Sequence, residues 1–271
     1  MEPVPPGIDP TKAHPSRRYN YWLGGKDNFA VDRESADTVA SGFPTVALAA
    51  RENRKFMARA VRYLARDAGL SQFLDIGTGL PSAGNVHEVA QSIDPAARIV
   101  YVDHDPVVLV HARALLTSSP EGRTAYIDAD LRDPEKILAA PELAATFDPS
   151  RPVALMLVAI MHFIADDEDP YGIVARLLEA LPSGSHVVIT HATGDHLTPG
   201  QYADAMETNH RSGVPFHLRT RAEFARFFDG HGLDLVDPGV TNVVDWRPDL
   251  PPHHRPSVED VSMYCGVART A

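Results

Sequence analysis

Three acids and two glycines stand at the ends of apolar runs in this sequence, and together they have the chemistry to hold a nucleoside. In FLDIGTGLPSAGNVHEVAQ (73–91) a short apolar stretch carries Asp75 near its end and runs into Gly77 and Gly79, spaced G-x-G, before residues that can open a helix. Asp103 ends the next apolar run and Asp130 follows the one after. A single acid at such a place says little, because Asp is common in turns and caps helices well. Three in consecutive units converge on one ligand. A carboxylate 24 residues beyond Gly79 is where the paired hydroxyls of a ribose would be gripped. Asp130 has the acceptor needed by the exocyclic amine of adenine.

The loop itself selects among nucleotides. A dinucleotide fingerprint wants its third glycine at position 82, which is Ser82, one residue after Pro81. A carboxylate such as Asp75 held against a pyrophosphate would add repulsion of about a few kcal/mol at an effective dielectric near 20. A ligand carrying an ammonium group would use that carboxylate instead. S-adenosylmethionine has the adenosine that Asp103 and Asp130 suit, no phosphate, and an amino acid end whose ammonium wants an acceptor. Gly77 and Gly79 then let the backbone approach the ligand with no Cβ in the way. Thr78, His104 and Leu131, next to these residues, and Ala159 after the fourth strand complete the expected cofactor set. Without a ligand the same stretch reads as a tight strand-to-helix turn.

A second stretch, YNYWLGGKDNFAVDRE (19–34), mixes aromatic residues, a Gly-Gly pair and polar groups. A segment folded over the cofactor would use Tyr19, Tyr21 and Trp22 to cover apolar or adenine surface and Gly24 and Gly25 to turn. Asn20 or Lys26 would reach the methionine carboxylate, for which residues 73–91 supply no cation. The other reading makes the aromatics a plug under the sheet; the polar groups among them favour the lid.

The elements that must position these residues alternate regularly. VALAARENRKFMARAVRYLARDAG (46–69) sets Phe56, Met57, Ala60, Val61 and Leu64 at helical spacing, with Gly69 as the stop. Strands are predicted over 72–77, 98–103, 124–130, from 152 onward, and 185–192. Helices are predicted over 85–93, 106–116, much of 134–147, and YGIVARLLEAL (171–181). Such alternation implies right-handed crossovers and a doubly wound, mostly parallel sheet covered on both faces. Ligands bind such sheets beyond the carboxyl ends of the strands. RAEFARFF reads as a helix, and GLDLVDPGVTNV with SVEDVSMYCGVART as a final antiparallel pair. Residues 1–18, rich in proline, read as an extended or loosely held arm.

Composition bounds the partners. The 271 residues, 44% of them hydrophobic, suffice for a full core. The net charge of −11 repels phosphodiester backbones, which favours a small-molecule substrate over nucleic acid. One cysteine, Cys265, reads as a buried thiol. No apolar signal core or membrane-length run is found, so a cytoplasmic, membrane-free protein is expected. His191, His196, His253 and His254 lack the spacing of a ligand pair such as H-E-x-x-H, and no metal is expected. No phosphate loop and no nucleophile elbow occur. His162, after the fourth strand, is the catalytic candidate: a general base, or a ring lining the pocket.

These residues carry a resemblance. PSRRYNYWLGGKDNFAVDRE (15–34), NRKFMARAVRYLARDAGLSQFLDIGTGLPSAGNVHEVAQ (53–91), YVDHDPVVLVHARALL (101–116), DADLRDP (128–134) and RTRAEFARFFDGHGLDLVDPGV (219–240) resemble class I S-adenosylmethionine-dependent methyltransferases. More narrowly, they resemble an actinobacterial family of S-adenosyl methyltransferases. Pro81 stands where many members of the broad superfamily have a glycine, and the GTGLP loop suits the narrower family. The fourth strand lacks the Asn/Asp-Pro-Pro-aromatic turn of many adenine and glutamine N-methyltransferases. The resemblance implies a Rossmann-like, seven-stranded sheet with an N-terminal helical cap: an arm and lid over 1–45, and a methyltransferase domain over 46–271. An insertion at about 192–218 lies near the acceptor pocket. The implied reaction is methyl transfer to oxygen, nitrogen or carbon of a small molecule. Two other functions keep the same residues: a non-catalytic protein that only binds S-adenosylmethionine, and an NAD-dependent oxidoreductase.

Overall fold

The computed structural model describes residues 9–108, 110, 118–230 and 232–271. Three helices come first, α1 (Pro15–Trp22), α2 (Ala30–Gly42) and α3 (Val46–Arg66). Then β1 (Gln72–Ile76), α4 (Val86–Gln91), β2 (Arg98–Asp103) and β3 (Arg123–Asp128) follow. Of the helix expected over 106–116, residues 106–108 and 110 are helical and the rest lie outside the described residues. The expected helix over 134–147 is two, α5 (Pro134–Leu138) and α6 (Pro141–Thr146). The break falls at the residues before Pro141, which bias the backbone away from helix.

Next come β4 (Ala154–Leu157), α7 (Pro170–Glu179) and β5 (His186–Ala192). The predicted insertion carries α8 (Pro199–Arg211), started by the capping box of Thr198 and Gln201. RAEFARFF divides into α9 (Arg221–Ala225) and a 3-10 turn at Arg226–Phe228. β6 (Leu233–Leu235), β7 (Thr241–Asn242), α10 (Val258–Val261) and β8 (Met263–Thr270) complete the fold.

The sheet order is β3-β2-β1-β4-β5-β8-β6. β1 to β5 pair in parallel, and β8 runs antiparallel to β5. β6 pairs with the end of β8 and β7 with its start, so the expected final pair is a long strand flanked by two short pieces. Side chains alternate across the pleat. Leu74, Ile76, Val100, Val102, Leu155 and Leu157 meet the helix and aromatics of α7 and α9 on one face. Phe73, Ile99, Tyr101, Ala154 and Met156 meet Phe56, Ala60, Val61 and Leu64 of α3 on the other. Both faces being covered explains why the strands read as continuous apolar runs. Cys265 of β8 is fully buried, and burial pushes its thiol well above the ordinary range.

The order reverses between β1 and β4: the chain winds outward through β2 and β3, then returns to β1's other edge. The crevice beyond that switch point is the ligand position of such sheets. α2 packs against α1 and α8, so the N-terminal helices and the insertion form one layer over it. The arm expected to be loose is therefore, from Pro15 onward, a docked helix with Arg17, Arg18 and Asn20 buried. Its first eight residues lie outside the described residues.

Candidate functional site

A cavity of about 390 Å³ lies at the carboxyl ends of β1, β2 and β4, within the range of small-molecule sites, roughly 300–1,000 Å³. Asp75, Gly77, Thr78, Gly79, Asp103, His104, Asp130, Leu131 and Ala159 all line it, as do Tyr19, Asn20 and His162. Thus the residues read from three separated strand ends converge on one space.

The glycine loop is held from within. Gly77 has φ +74° and Gly79 φ +67°, conformations that L side chains rarely adopt. A Cβ on Gly77 would lie 2.7 Å from Ile160 Cδ1. The demand at Gly77 therefore comes from the protein's own packing as well as its backbone. Gly79 N–H donates to Asp103 Oδ2 at 2.9 Å, and Asp105 N–H to Asp103 Oδ1 at 2.9 Å. Burial lifts the Asp103 carboxyl above its ordinary range, and the two amides pull the other way. Thr78 donates its hydroxyl to the Asp75 carbonyl at 3.0 Å.

Asp75 differs in kind. Its side chain is 6% exposed and accepts no hydrogen bond among the described residues. Burial pushes it up to about 7, while Arg54 lowers it and Asp103 raises it. A buried, unpartnered carboxylate in a cavity wall is what an ammonium ligand requires. The cation acting on it is Arg54 of α3, which also lines the cavity. Arg54 donates to the carbonyls of Ala83 at 3.3 Å and Gly84 at 3.2 Å.

The N-terminal stretch divides. Tyr19, Asn20 and Trp22 reach the cavity; Tyr21, Gly24, Gly25 and Lys26 are not in its wall. The physical reason is the end of α1. Leu23 N–H returns to Tyr19 O, Gly24 N–H to Tyr21 O and Gly25 N–H to Asn20 O, at 3.1, 2.9 and 2.8 Å. This reversal leaves Lys26 exposed and outside the cavity wall. Tyr21 donates to Asp37 on the outer side at 3.2 Å. Asn20 Oδ1 accepts from Asp27 N–H at 3.1 Å and Asn28 Nδ2 at 3.0 Å, and a Cβ on Gly25 would collide with that side chain. Tyr19 donates to Ala50 O at 2.9 Å and accepts from Asn53 Nδ2 at 3.0 Å, which pins α1 to α3.

Asp105, which sequence reasoning passed over, pins α1 to the end of β2. Burial pushes its carboxyl up, but His14, the Val107 amide and Ser16 outweigh burial and hold it at about 2. Ser16 donates to it at 3.0 Å. The signal was present as the second acid of DHD (103–105).

The opposite wall follows β4. Ala159, with φ 56°, donates its N–H to Thr190 Oγ1 at 2.8 Å and turns the chain into a 3-10 turn at Met161–Phe163. Arg219 clamps that turn, donating to Met161 O at 3.0 Å and Ile164 O at 2.9 Å. It also donates to His191 Nε2 at 2.7 Å, which the bond from His191 Nδ1 to Ala192 O (2.7 Å) leaves as an acceptor. His162 is 4% exposed and packs its ring 4.5 Å from those of Phe163 and Phe216. Its Nδ1 has no hydrogen-bond partner among the described residues. Burial, with the nearby His191 and Arg18, holds it well below its ordinary range, so the ring is neutral at pH 7. Phe216, Val214 and Leu197 from the insertion, and Val39 and Phe43 from α2 and its end, make this half apolar.

Arg18, Arg54 and Arg219 are, with Asp105, residues that sequence reasoning missed. Each arginine is a long side chain acting far from its own backbone, in a motif with no local spacing rule. No group of three or more His, Cys, Asp or Glu suited to a metal occurs among the described residues, and no helix among them is long and apolar enough to cross a membrane.

Comparison with known proteins agrees with this geometry. The profile of the family described as S-adenosyl methyltransferase matches residues 1–271. A DUF574 family protein from Streptomyces avermitilis is 47% identical over 96% of this chain and 98% of that one, with a TM-score of 0.91. A candidate methyltransferase from Thermobifida fusca is 42% identical over 100% and 99%, with a TM-score of 0.89. The N-methyltransferase NodS from Bradyrhizobium japonicum, 13% identical over 81% and 97%, shares the fold at a TM-score of 0.50. Comparison with curated proteins found no match. The chain belongs to the S-adenosyl methyltransferase family, with S-adenosylmethionine as its cofactor and a class I, Rossmann-like fold.

Proposed function

We propose that this protein methylates a small molecule held in the apolar half of the cavity, between His162 and the layer of α1, α2 and α8. The observation that carries the reading is continuity: one cavity joins the Asp75, Gly77 and Asp103 wall to the Val39, Phe216 and His162 wall. Asp103 would hold the ribose hydroxyls, and Asp130 with Leu131 the adenine. Asp75 would take the ammonium, and Arg54, in place of Lys26, the methionine carboxylate. S-adenosylmethionine, when bound, supplies a methyl group already activated on a sulfonium.

The remaining work is alignment, and holding two reactants in register can supply about 7–11 kcal/mol of a barrier. The Arg219 clamp keeps the His162 turn rigid, and the aromatic rings around it exclude water. A neutral His162 can accept a hydrogen bond from an acceptor hydroxyl or amine and orient its lone pair. Its burial opposes the imidazolium, so its part is orientation more than storage of a proton. Family membership sets the oxidoreductase reading aside, and the apolar chamber beside the cofactor wall favours transfer over mere binding. The charge of −11 favours a small acceptor over nucleic acid, in an expected cytoplasmic setting.

Calorimetry with S-adenosylhomocysteine, followed by incubation of methyl-labelled cofactor with a library of small oxygen, nitrogen and carbon acceptors, tests the reading. Binding plus label transfer to any of them supports it. Failure of wild-type protein to bind S-adenosylhomocysteine would refute it.

A further inference from the structure

Arg18 is 1% exposed and lines the cavity, yet the fold gives its charge no ion pair among the described residues. The carboxylate acting on it is Asp32, and Asp32 is already committed. It accepts the amides of His14 at 2.9 Å and Phe29 at 2.8 Å and sits 3.5 Å from Arg17 Nε. The Arg18 guanidinium donates only through Nη1, to Ser212 Oγ at 3.0 Å and, loosely, to Ser35 Oγ at 3.4 Å. Nε has no partner, and Nη2 makes no hydrogen bond among the described residues. Beside it Trp22, 5.5 Å from ring centroid to guanidinium, has its own Nε1 buried and without a hydrogen-bond partner among the described residues. Three donor nitrogens and one positive charge thus stand unmatched in the cavity wall, with Leu23, Val39, Val214 and Phe216 in the same chamber.

Burying a cation and leaving its donors idle is unfavourable unless a partner arrives. The planar fork of a guanidinium matches a carboxylate, with which it forms paired, charge-assisted hydrogen bonds. The chamber around it suits a flat apolar body. We infer that the methyl acceptor is an apolar, aromatic carboxylic acid whose carboxylate is anchored by Arg18 with the help of the Trp22 indole N–H. This rests on the reading of the cavity as a methyltransferase site, and it names the substrate class for that site. Arg54 lies at the Asp75 loop and Arg18 at the His162 side. The two cations therefore divide the two carboxylates, that of the cofactor and that of the acceptor.

The test uses the whole chain at pH 7 and begins with S-adenosylhomocysteine binding by calorimetry. With that ligand saturating, 2-naphthoate and its neutral isostere 2-naphthamide are titrated in turn. The expected result is a carboxylate at least tenfold tighter than the amide in wild type. In Arg18→Gln that preference should fall below twofold, with S-adenosylhomocysteine affinity changed by less than threefold; Arg18→Lys should keep part of the preference. Equal affinity of the two probes for wild type, no binding of either at millimolar concentration, or a preference that survives Arg18→Gln overturns the inference. So does a tenfold loss of S-adenosylhomocysteine in that variant, which would give Arg18 to the cofactor. The wild-type comparison decides even if Arg18→Gln does not fold. If S-adenosylhomocysteine does not bind wild type, the cofactor reading fails instead, and the two probes are compared on the free protein.

Discussion

Lowering the pH should drive S-adenosylhomocysteine off this protein through one group, Asp75. Its carboxyl, buried and unpartnered, ionises at about 7 in the folded chain, against about 3.9 for a free aspartate. An ammonium ligand needs the ionised form, so below pH 7 binding must first expel a proton. At pH 6 only about one molecule in eleven carries the carboxylate, and affinity should be about tenfold below its plateau; at pH 5 it should be about a hundredfold below. Above pH 7 the profile should flatten. The same shift acts on the empty protein with the opposite sense of benefit. Because the folded pKa is raised, the folded chain binds the extra proton between about pH 4 and 7. Asp75 therefore makes stability fall as pH rises through that window, by up to about 4 kcal/mol. Asp75→Asn should remove both effects, giving a weak, pH-flat affinity and a more stable empty protein. Calorimetry from pH 5 to 8 in buffers of different ionisation enthalpy reads affinity and proton release together. A flat wild-type affinity over that range, or proton uptake on binding, would refute the assignment of Asp75 to the ammonium.

Asp103→Ala should weaken S-adenosylhomocysteine by about 2–3 kcal/mol through lost bonds to the ribose. It also strands the amides of Gly79 and Asp105, at about 1–3 kcal/mol each; urea melts beside calorimetry separate the two effects, and an unchanged melt would contradict the dual role. Gly77→Ala should destabilise by about 2–5 kcal/mol, combining left-handed strain with overpacking against Ile160. Adding Ile160→Ala should relieve only the overpacking, as urea midpoints will show. Arg219→Met should cost about 2–4 kcal/mol by freeing the carbonyls of Met161 and Ile164, and hydrogen exchange should localise the loosening to residues 158–166.

The sheet was legible because parallel strands buried on both faces leave unbroken apolar runs such as IVYV (99–102) and VALML (153–157), and acids stand at or near the ends of β1, β2 and β3. Asp75, Asp103 and Asp130 could thus be assigned to one crevice from the sequence. The lid was legible only as composition. Aromatic and polar residues over 19–34 said that α1 covers something, but which face reaches the cavity depends on a helix phase and on the reversal at Leu23–Gly25, and these turned Lys26 outward. Arg18, Arg54 and Arg219 were illegible for a different reason. Their partners lie far along the chain, Ser212 for Arg18 and Met161 for Arg219, and a long side chain's reach leaves no periodic trace.

The cavity draws its wall from Ala13 near one end of the sequence to Met263 near the other, and this has a consequence for synthesis. β8 inserts between β5 and the β6 and β7 pieces, so contacts spanning nearly the whole chain must form before the chamber exists. Such distant pairings are slow to find, because the intervening chain must be ordered first. A nascent chain extended only through β5 would already carry the Asp75, Asp103 and Asp130 crevice. Its α1 roof would be waiting for α8, and its floor would lack Met263. Cofactor affinity should therefore emerge on the ribosome before acceptor affinity, making the acceptor chamber the last part of the molecule to mature.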